Sequence, residues 1–148
     1  MPAITIVLAD DHVMFRSAVS DYLGKWPEFQ VVSQAGNGLE VLAQVRENTP
    51  DLLLLDMRLP EMDGVEVLKT LSSWNSPTRV LALSAFNEQE YVTGIVDHGG
   101  YGYLLKVEPP QVVLGVLRRI AANERHFFSE EIEELLLDWG YQLENHLS

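Results

Sequence analysis

A doubly wound α/β sheet of five parallel strands and five helices, with one more helix at the C-terminus, is the fold class predicted by this 148-residue sequence. Three observations predict it. Apolar runs and stretches of helical period alternate five times. Four of the runs are nearly continuous in Val, Ile and Leu, the pattern of strands covered on both faces. Strand starts recur roughly every 22 to 28 residues, the rhythm of βα units. Right-handed crossovers then put helices on both faces of the sheet. The length suits one domain with one core.

The first strand reads as Ile4–Ala9. After it, Phe15, Ala18, Val19, Tyr22, Leu23 and Trp26 recur at three- and four-residue steps, so one helix face collects them, and Pro27 stops the helix. The second strand reads as Phe29–Ala35, followed by a helix marked by Leu39, Leu42 and Val45. The third is Asp51–Leu55, with Val65, Leu68 and Leu71 on the next helix. The fourth is Arg79–Ser84, with Val92, Ile95 and Val96 after it. The fifth is Tyr101–Leu105, with Val113, Val116, Leu117 and Ile120 after it. Ser129 followed by acids is a good helix start, since acids favour the positive end of the helix dipole. A last helix over Glu130–Leu147 is therefore expected, its stripe formed by Ile132, Leu135, Leu136, Trp139, Leu143 and Leu147, with Gly140 weakening it. This gives a core unit over 1–124 and an acidic helix or linker over 125–148.

In a parallel sheet every strand's C-terminal end lies on one edge, and ligand chemistry in open α/β sheets gathers there. Strand one ends in Asp10-Asp11, strand three in Asp56, strand four in Ser84 and strand five in Lys106. Three carboxylates, a hydroxyl and an ammonium thus converge over an apolar sheet. Carboxylates held together repel one another, and a hard divalent cation relieves this. Mg²⁺, for which Mn²⁺ can substitute, prefers such oxygen ligands. With the metal bound, one carboxylate is free to act as a nucleophile on a phosphoryl group. Each piece alone is weak: Asp11 before a helix is an ordinary N-cap, Asp56 an ordinary turn residue. Their joint position carries the reading.

Leu8-Ala9-Asp10-Asp11-His12, the run from Leu54 to Gly64 (LLDMRLPEMDG), Leu83-Ser84-Ala85 and Gly102-Tyr103-Leu104-Leu105-Lys106 resemble the receiver domain of bacterial two-component response regulators. The resemblance covers residues 3–124 and is greatest to receivers that precede a LuxR-type helix-turn-helix output. It implies the flavodoxin-like strand order 2-1-3-4-5. It implies that Asp56 accepts a phosphoryl group from a sensor histidine kinase, and that Asp10, Asp11, Asp56 and the backbone carbonyl of Arg58 hold Mg²⁺. Ser84 and Lys106 would bind the phosphoryl group. Ser84 and Tyr103 would form the switch, Tyr103 turning inward as Ser84 moves. Arg58 and Phe86 stand at two positions that tune phosphoryl lifetime. Pro60 and Gly64 fit the bend after Asp56, where Gly permits positive φ. Lys106 is followed by Val107 where many members have Pro, which leaves a cis bond there open.

The implied function is a phosphoaccepting switch that regulates transcription through an output domain absent from this chain. The alternative is a stand-alone receiver that acts by protein–protein interaction or phosphorelay. It is not an enzyme beyond its own phosphorylation and dephosphorylation. A metal-dependent phosphatase usually places a second acid two residues after the nucleophile, where this chain has Arg58. A nucleotide carrier needs a phosphate loop after strand one, where this chain has two aspartates. Gly36-Asn37-Gly38 reads as a turn, and the four histidines lack ligand spacing. With 10 Lys+Arg against 22 Asp+Glu the net charge is −12, which opposes direct nucleic-acid binding or a membrane surface. Six of those acids and no Lys or Arg lie in residues 129–148. Zero cysteines, no signal peptide and apolar runs far short of the ~20 residues a bilayer needs point to the cytoplasm. A sensor kinase is the expected partner, and a homodimer is compatible.

Overall fold

The structure, a computed structural model, describes residues 2–143. The strands are β1 (Ile4–Ala9), β2 (Phe29–Ala35), β3 (Leu52–Leu55), β4 (Arg79–Ser84), β5 (Gly102–Leu105) and β6 (Phe127–Phe128). The helices are α1 (Val13–Leu23), α2 (Gly38–Asn48), α3 (Gly64–Ser73), α4 (Gln89–Asp97), α5 (Pro110–Ala121) and α6 (Glu130–Asp138). The sheet order is β2-β1-β3-β4-β5-β6, and every pairing is parallel. The expected 2-1-3-4-5 order is present, extended at one edge by β6.

The continuous apolar strands divide their side chains between two cores. All four leucines of β3 are buried, at 0–4% exposure. Leu52 and Leu54 join Ile6, Leu8 and Leu81 beneath α1 and α5, where Leu114, Leu117 and Ile120 cover them. Leu53 and Leu55 join Val7 and Ala82 on the opposite face, beneath α2, α3 and α4. Burial of a leucine-sized side chain stabilises by roughly 1.5–3 kcal/mol, so this middle strand is a major anchor of the fold. Among the described residues no helix is long and apolar enough to cross a membrane.

Three boundaries differ from expectation. The helix α1 ends at Leu23 with Gly24 as its cap, well before β2 begins at Phe29, and Trp26 packs from the turn between them. Asp51 precedes β3, and its carboxylate instead accepts the amide and hydroxyl of Thr5 at 2.9 and 3.1 Å. The last helix ends at Asp138, capped by Trp139, because Gly140 takes φ 92° and turns the chain. Leu143 therefore lies beyond it, and the expected helical positions 144–147 fall outside the described residues. The two-residue β6 is an element that sequence pattern did not indicate.

Candidate functional site

The parallel register brings the ends of β1, β3, β4 and β5 to one edge. Asp10 and Asp56 are buried there, at 5% and 3% exposure, and Ser84 at 0%. Asp56 accepts the Ser84 hydroxyl on Oδ1 at 2.9 Å and pairs on Oδ2 with the Lys106 ammonium at 3.2 Å. The same ammonium lies 2.7 Å from Asp10 Oδ2, while Asp10 Oδ1 accepts the amide of His12 at 2.9 Å. Burial alone would lower the Lys106 pKa, but the bond to Asp10 and the charge of Asp56 more than offset it and raise it.

Asp11 differs from its neighbour. It is exposed, and among the described residues it makes no hydrogen bond or ion pair. It is not the N-cap of α1 either; His12 holds that place, without a side-chain cap. Yet Asp10, Asp11 and Asp56 each offer an oxygen within 4.8 Å of the others. One Lys106 ammonium cannot balance three carboxylates, so the cluster keeps an excess negative charge on its open side. Arg16 braces the loop that carries them: its Nη1 donates to the Asp10 carbonyl at 2.6 Å and its Nε to Gln34 at 3.0 Å.

A second layer covers the far side. The Phe86 amide donates to Ser84 Oγ at 3.2 Å, and the Tyr103 hydroxyl donates to the Phe86 carbonyl at 2.6 Å. Tyr103 therefore sits inward, wholly buried, and burial pushes its phenol pKa up. The Arg58 guanidinium lies 3.6 Å from the Phe86 ring centroid and 2.8 Å from Glu88 Oε2.

The bend after Asp56 is built differently from expectation. Gly64 does not take positive φ; Glu61 does, at 71°. Gly64 is required for space, because a Cβ there would lie 2.6 Å from Met57 Sδ and 2.8 Å from Met57 Cα. Its amide donates to the Met57 carbonyl at 2.8 Å, closing the loop that carries Arg58. The Lys106–Val107 bond is trans, since no cis peptide occurs among the described residues.

Residues 6–118 match the family model of the response regulator receiver domain. The chain belongs to that family. This receiver is 37% identical over 120 residues to the nitrate/nitrite response regulator protein NarL of Escherichia coli K12, covering 81% of this chain and 56% of that one. It is 30% identical over 136 residues to the transcriptional regulatory protein DegU of Brevibacillus brevis, covering 92% of this chain and 58% of that one. Among solved structures, the receiver domain of a putative NarL from Mycobacterium tuberculosis superposes with a TM-score of 0.78 at 33% identity, covering 82% of this chain and 98% of that one. The chain spans about half the length of the curated relatives it matches. Family membership does not point to an enzyme acting on a separate substrate.

Sequence reasoning named every strand-end residue of this site. It missed Arg16, Glu88 and Ser129. An Arg one helical turn into α1 and a Glu two residues after Phe86 carry no spacing signal of their own, because Arg16 bonds a backbone carbonyl and the distant Gln34, and the partner of Glu88 is the distant Arg58. Ser129, which accepts the Leu105 amide at 2.9 Å, had a signal: it precedes α6 as an N-cap type, but bonds β5 instead.

Proposed function

We propose that Asp56 accepts a phosphoryl group from the phosphohistidine of a sensor kinase. An Asp56 carboxylate oxygen attacks phosphorus, the P–N bond breaks, and the histidine leaves with the bonding pair. The observation that carries this reading is the place of Asp56, buried at the end of the central strand, with Ser84 and Lys106 on it and two more carboxylates within 4.8 Å. Lys106 would bind the incoming phosphoryl oxygens, and the Ser84 hydroxyl would donate to them. Asp11, without a partner among the described residues, and the all-oxygen donor set fit Mg²⁺ or Mn²⁺, which Asp10, Asp11, Asp56 and the Arg58 carbonyl would hold. When bound, the ion supplies charge neutralisation at the phosphoryl oxygens. The inward Tyr103 and the Ser84–Asp56 bond support the pair Ser84 and Tyr103 as the switch.

The test is exposure to acetyl phosphate and Mg²⁺ with intact-mass readout. The parent gains the mass of one phosphoryl group and Asp56→Asn does not; equal labelling of both would refute the assignment. We assign Arg58 and Phe86 the control of lifetime, including the receiver's own dephosphorylation. Arg58 has only donors, so it can bind phosphoryl oxygens but cannot take a proton from an attacking water, and Phe86 is bulky and cannot hydrogen-bond one. Phosphoryl loss is therefore slow, over many minutes, and replacing Phe86 by Ala with Arg58 by Asn speeds it about ten-fold, or about 1.4 kcal/mol off the barrier. A decay rate no faster in the double variant excludes this role.

In this reading residues 1–124 form the receiver and 125–148 an acidic segment that leads to a transcriptional output domain outside this chain. DegU, one of the relatives, is named a transcriptional regulatory protein. The chain acts in the cytoplasm, its partner is a sensor histidine kinase, and pairing with a second copy is compatible with it. The alternative, a receiver that acts alone through protein contacts, predicts the same labelling.

A further inference from the structure

The outer edge of the switch is covered by the chain's own C-terminal segment. Beside β5, Phe128 of β6 pairs with Tyr103, and the Ser129 amide donates to the Tyr103 carbonyl at 3.1 Å. Ser129 Oγ accepts the Leu105 amide and also bonds Glu108, two residues after Lys106. From α6, Glu131 accepts the side-chain amide of Asn87 at 2.9 Å, next to Phe86. Ile132 and Leu136, both wholly buried, enter the same apolar cluster as Tyr103 and Tyr91. Past the helix, the Tyr141 hydroxyl donates to Asp97 at the end of α4. The segment is thus tied to the neighbours of each residue that faces the phosphoryl site from this side.

We infer that β6 and α6 form a strap that locks Tyr103 inward and thereby holds the Ser84–Asp56 end of the site in its phosphoryl-binding arrangement. A ring buried this completely leaves its pocket only if its cover lifts. The cover and the phosphoryl group then bias one and the same element. Two ligands of one element are linked, and the linkage is reciprocal: a docked strap tightens phosphoryl binding, and a bound phosphoryl group tightens the strap. The strap makes α6 the internal reporter of the site's state. This inference rests on the assignment of Asp56 as acceptor, and its test separates the two.

The probe is beryllofluoride with Mg²⁺, a phosphoryl mimic, titrated into the full chain, with amide hydrogen exchange followed in parallel. Glu131→Ala removes the tie to Asn87 without touching the core. Combined with Ser129→Ala it weakens beryllofluoride binding about five-fold. In the same double variant, exchange across residues 101–106 and 127–138 speeds up in the absence of the probe. In the parent, beryllofluoride slows exchange across 127–138. The control is Glu134→Ala, an exposed acid on the same helix with no partner among the described residues, which leaves the affinity unchanged. Unchanged protection of 101–106 in the double variant overturns the strap whatever happens to the probe. Tighter binding in the variant, or equal weakening by Glu134→Ala, overturns it too. A parent that binds neither beryllofluoride nor acetyl phosphate refutes the Asp56 assignment, while the exchange data still decide the strap.

Discussion

Lys106 is asked to balance more negative charge than it carries. Its ammonium touches Asp10 and Asp56 at 2.7 and 3.2 Å, and Asp11 adds a third carboxylate within 4.8 Å of both. Removing the charge of Asp56 eliminates two repulsions and one attraction, while Asn keeps an oxygen for the Ser84 hydroxyl. Asp56→Asn therefore stabilises the metal-free chain by roughly 1–2 kcal/mol, a fraction of one Coulomb pair at this range. Urea unfolding without divalent ions checks this, and a lower midpoint in the variant contradicts it. The sign for Lys106 itself is opposite. Its pKa is raised above the ordinary 10.5, so its stabilising contribution is complete below pH 10.5 and is lost only as pH climbs through the higher folded value. The ammonium is therefore charged at any physiological pH, and activity should not titrate through it.

Among the helices, the C-terminal ends carry the backbone strain. Thr49 caps α2 at φ 39°, ψ 59°, a left-handed conformation that a β-branched residue adopts at a cost. Thr49 is exposed, and among the described residues its side chain makes no hydrogen bond. Thr49→Gly should thus raise stability by about 0.5–1 kcal/mol, the relief of strain less the extra freedom of the unfolded chain. An unchanged or lower urea midpoint would show the strain to be absorbed elsewhere. Elements of this size were legible where their cause is local. The Leu52–Leu55 run announces a strand covered on both faces, and the strand-end residues follow once the strands are placed. What was not legible has non-local causes. The pair Phe127-Phe128 is too short to show a period, and it becomes a strand only because the edge of β5 lies beside it. A trace existed in Gly102, where a Cβ would lie 2.1 Å from the Phe127 carbonyl oxygen; glycine within a strand marks another backbone close by. Gly64 misled for a related reason, since its missing Cβ makes room for Met57 and not for a turn.

Across the whole molecule, the net charge of −12 and the three-carboxylate site are two separate sources of repulsion, and salt distinguishes them. The first is spread over the surface and is screened by any ion, with a Debye length of about 10 Å at 0.1 M. The second is compact, partly buried and answered by a specific divalent ligand. Raising NaCl should therefore lift the thermal midpoint modestly and without saturation. Mg²⁺ should lift it further at far lower ionic strength, and the effect should follow a binding curve. At ten times its dissociation constant, a ligand that binds only the folded chain adds about 1.4 kcal/mol. For a chain of this size that is a rise of roughly 3–6 °C. Of the three carboxylates, Asp11 has no partner among the described residues, so Asp11→Ala should abolish the Mg²⁺ increment and leave the NaCl increment in place. Scanning calorimetry on both proteins, with NaCl-matched controls, measures the two terms. If Asp11→Ala keeps the full Mg²⁺ increment, the divalent ion acts on the diffuse charge, and the cluster at the strand ends is not its site.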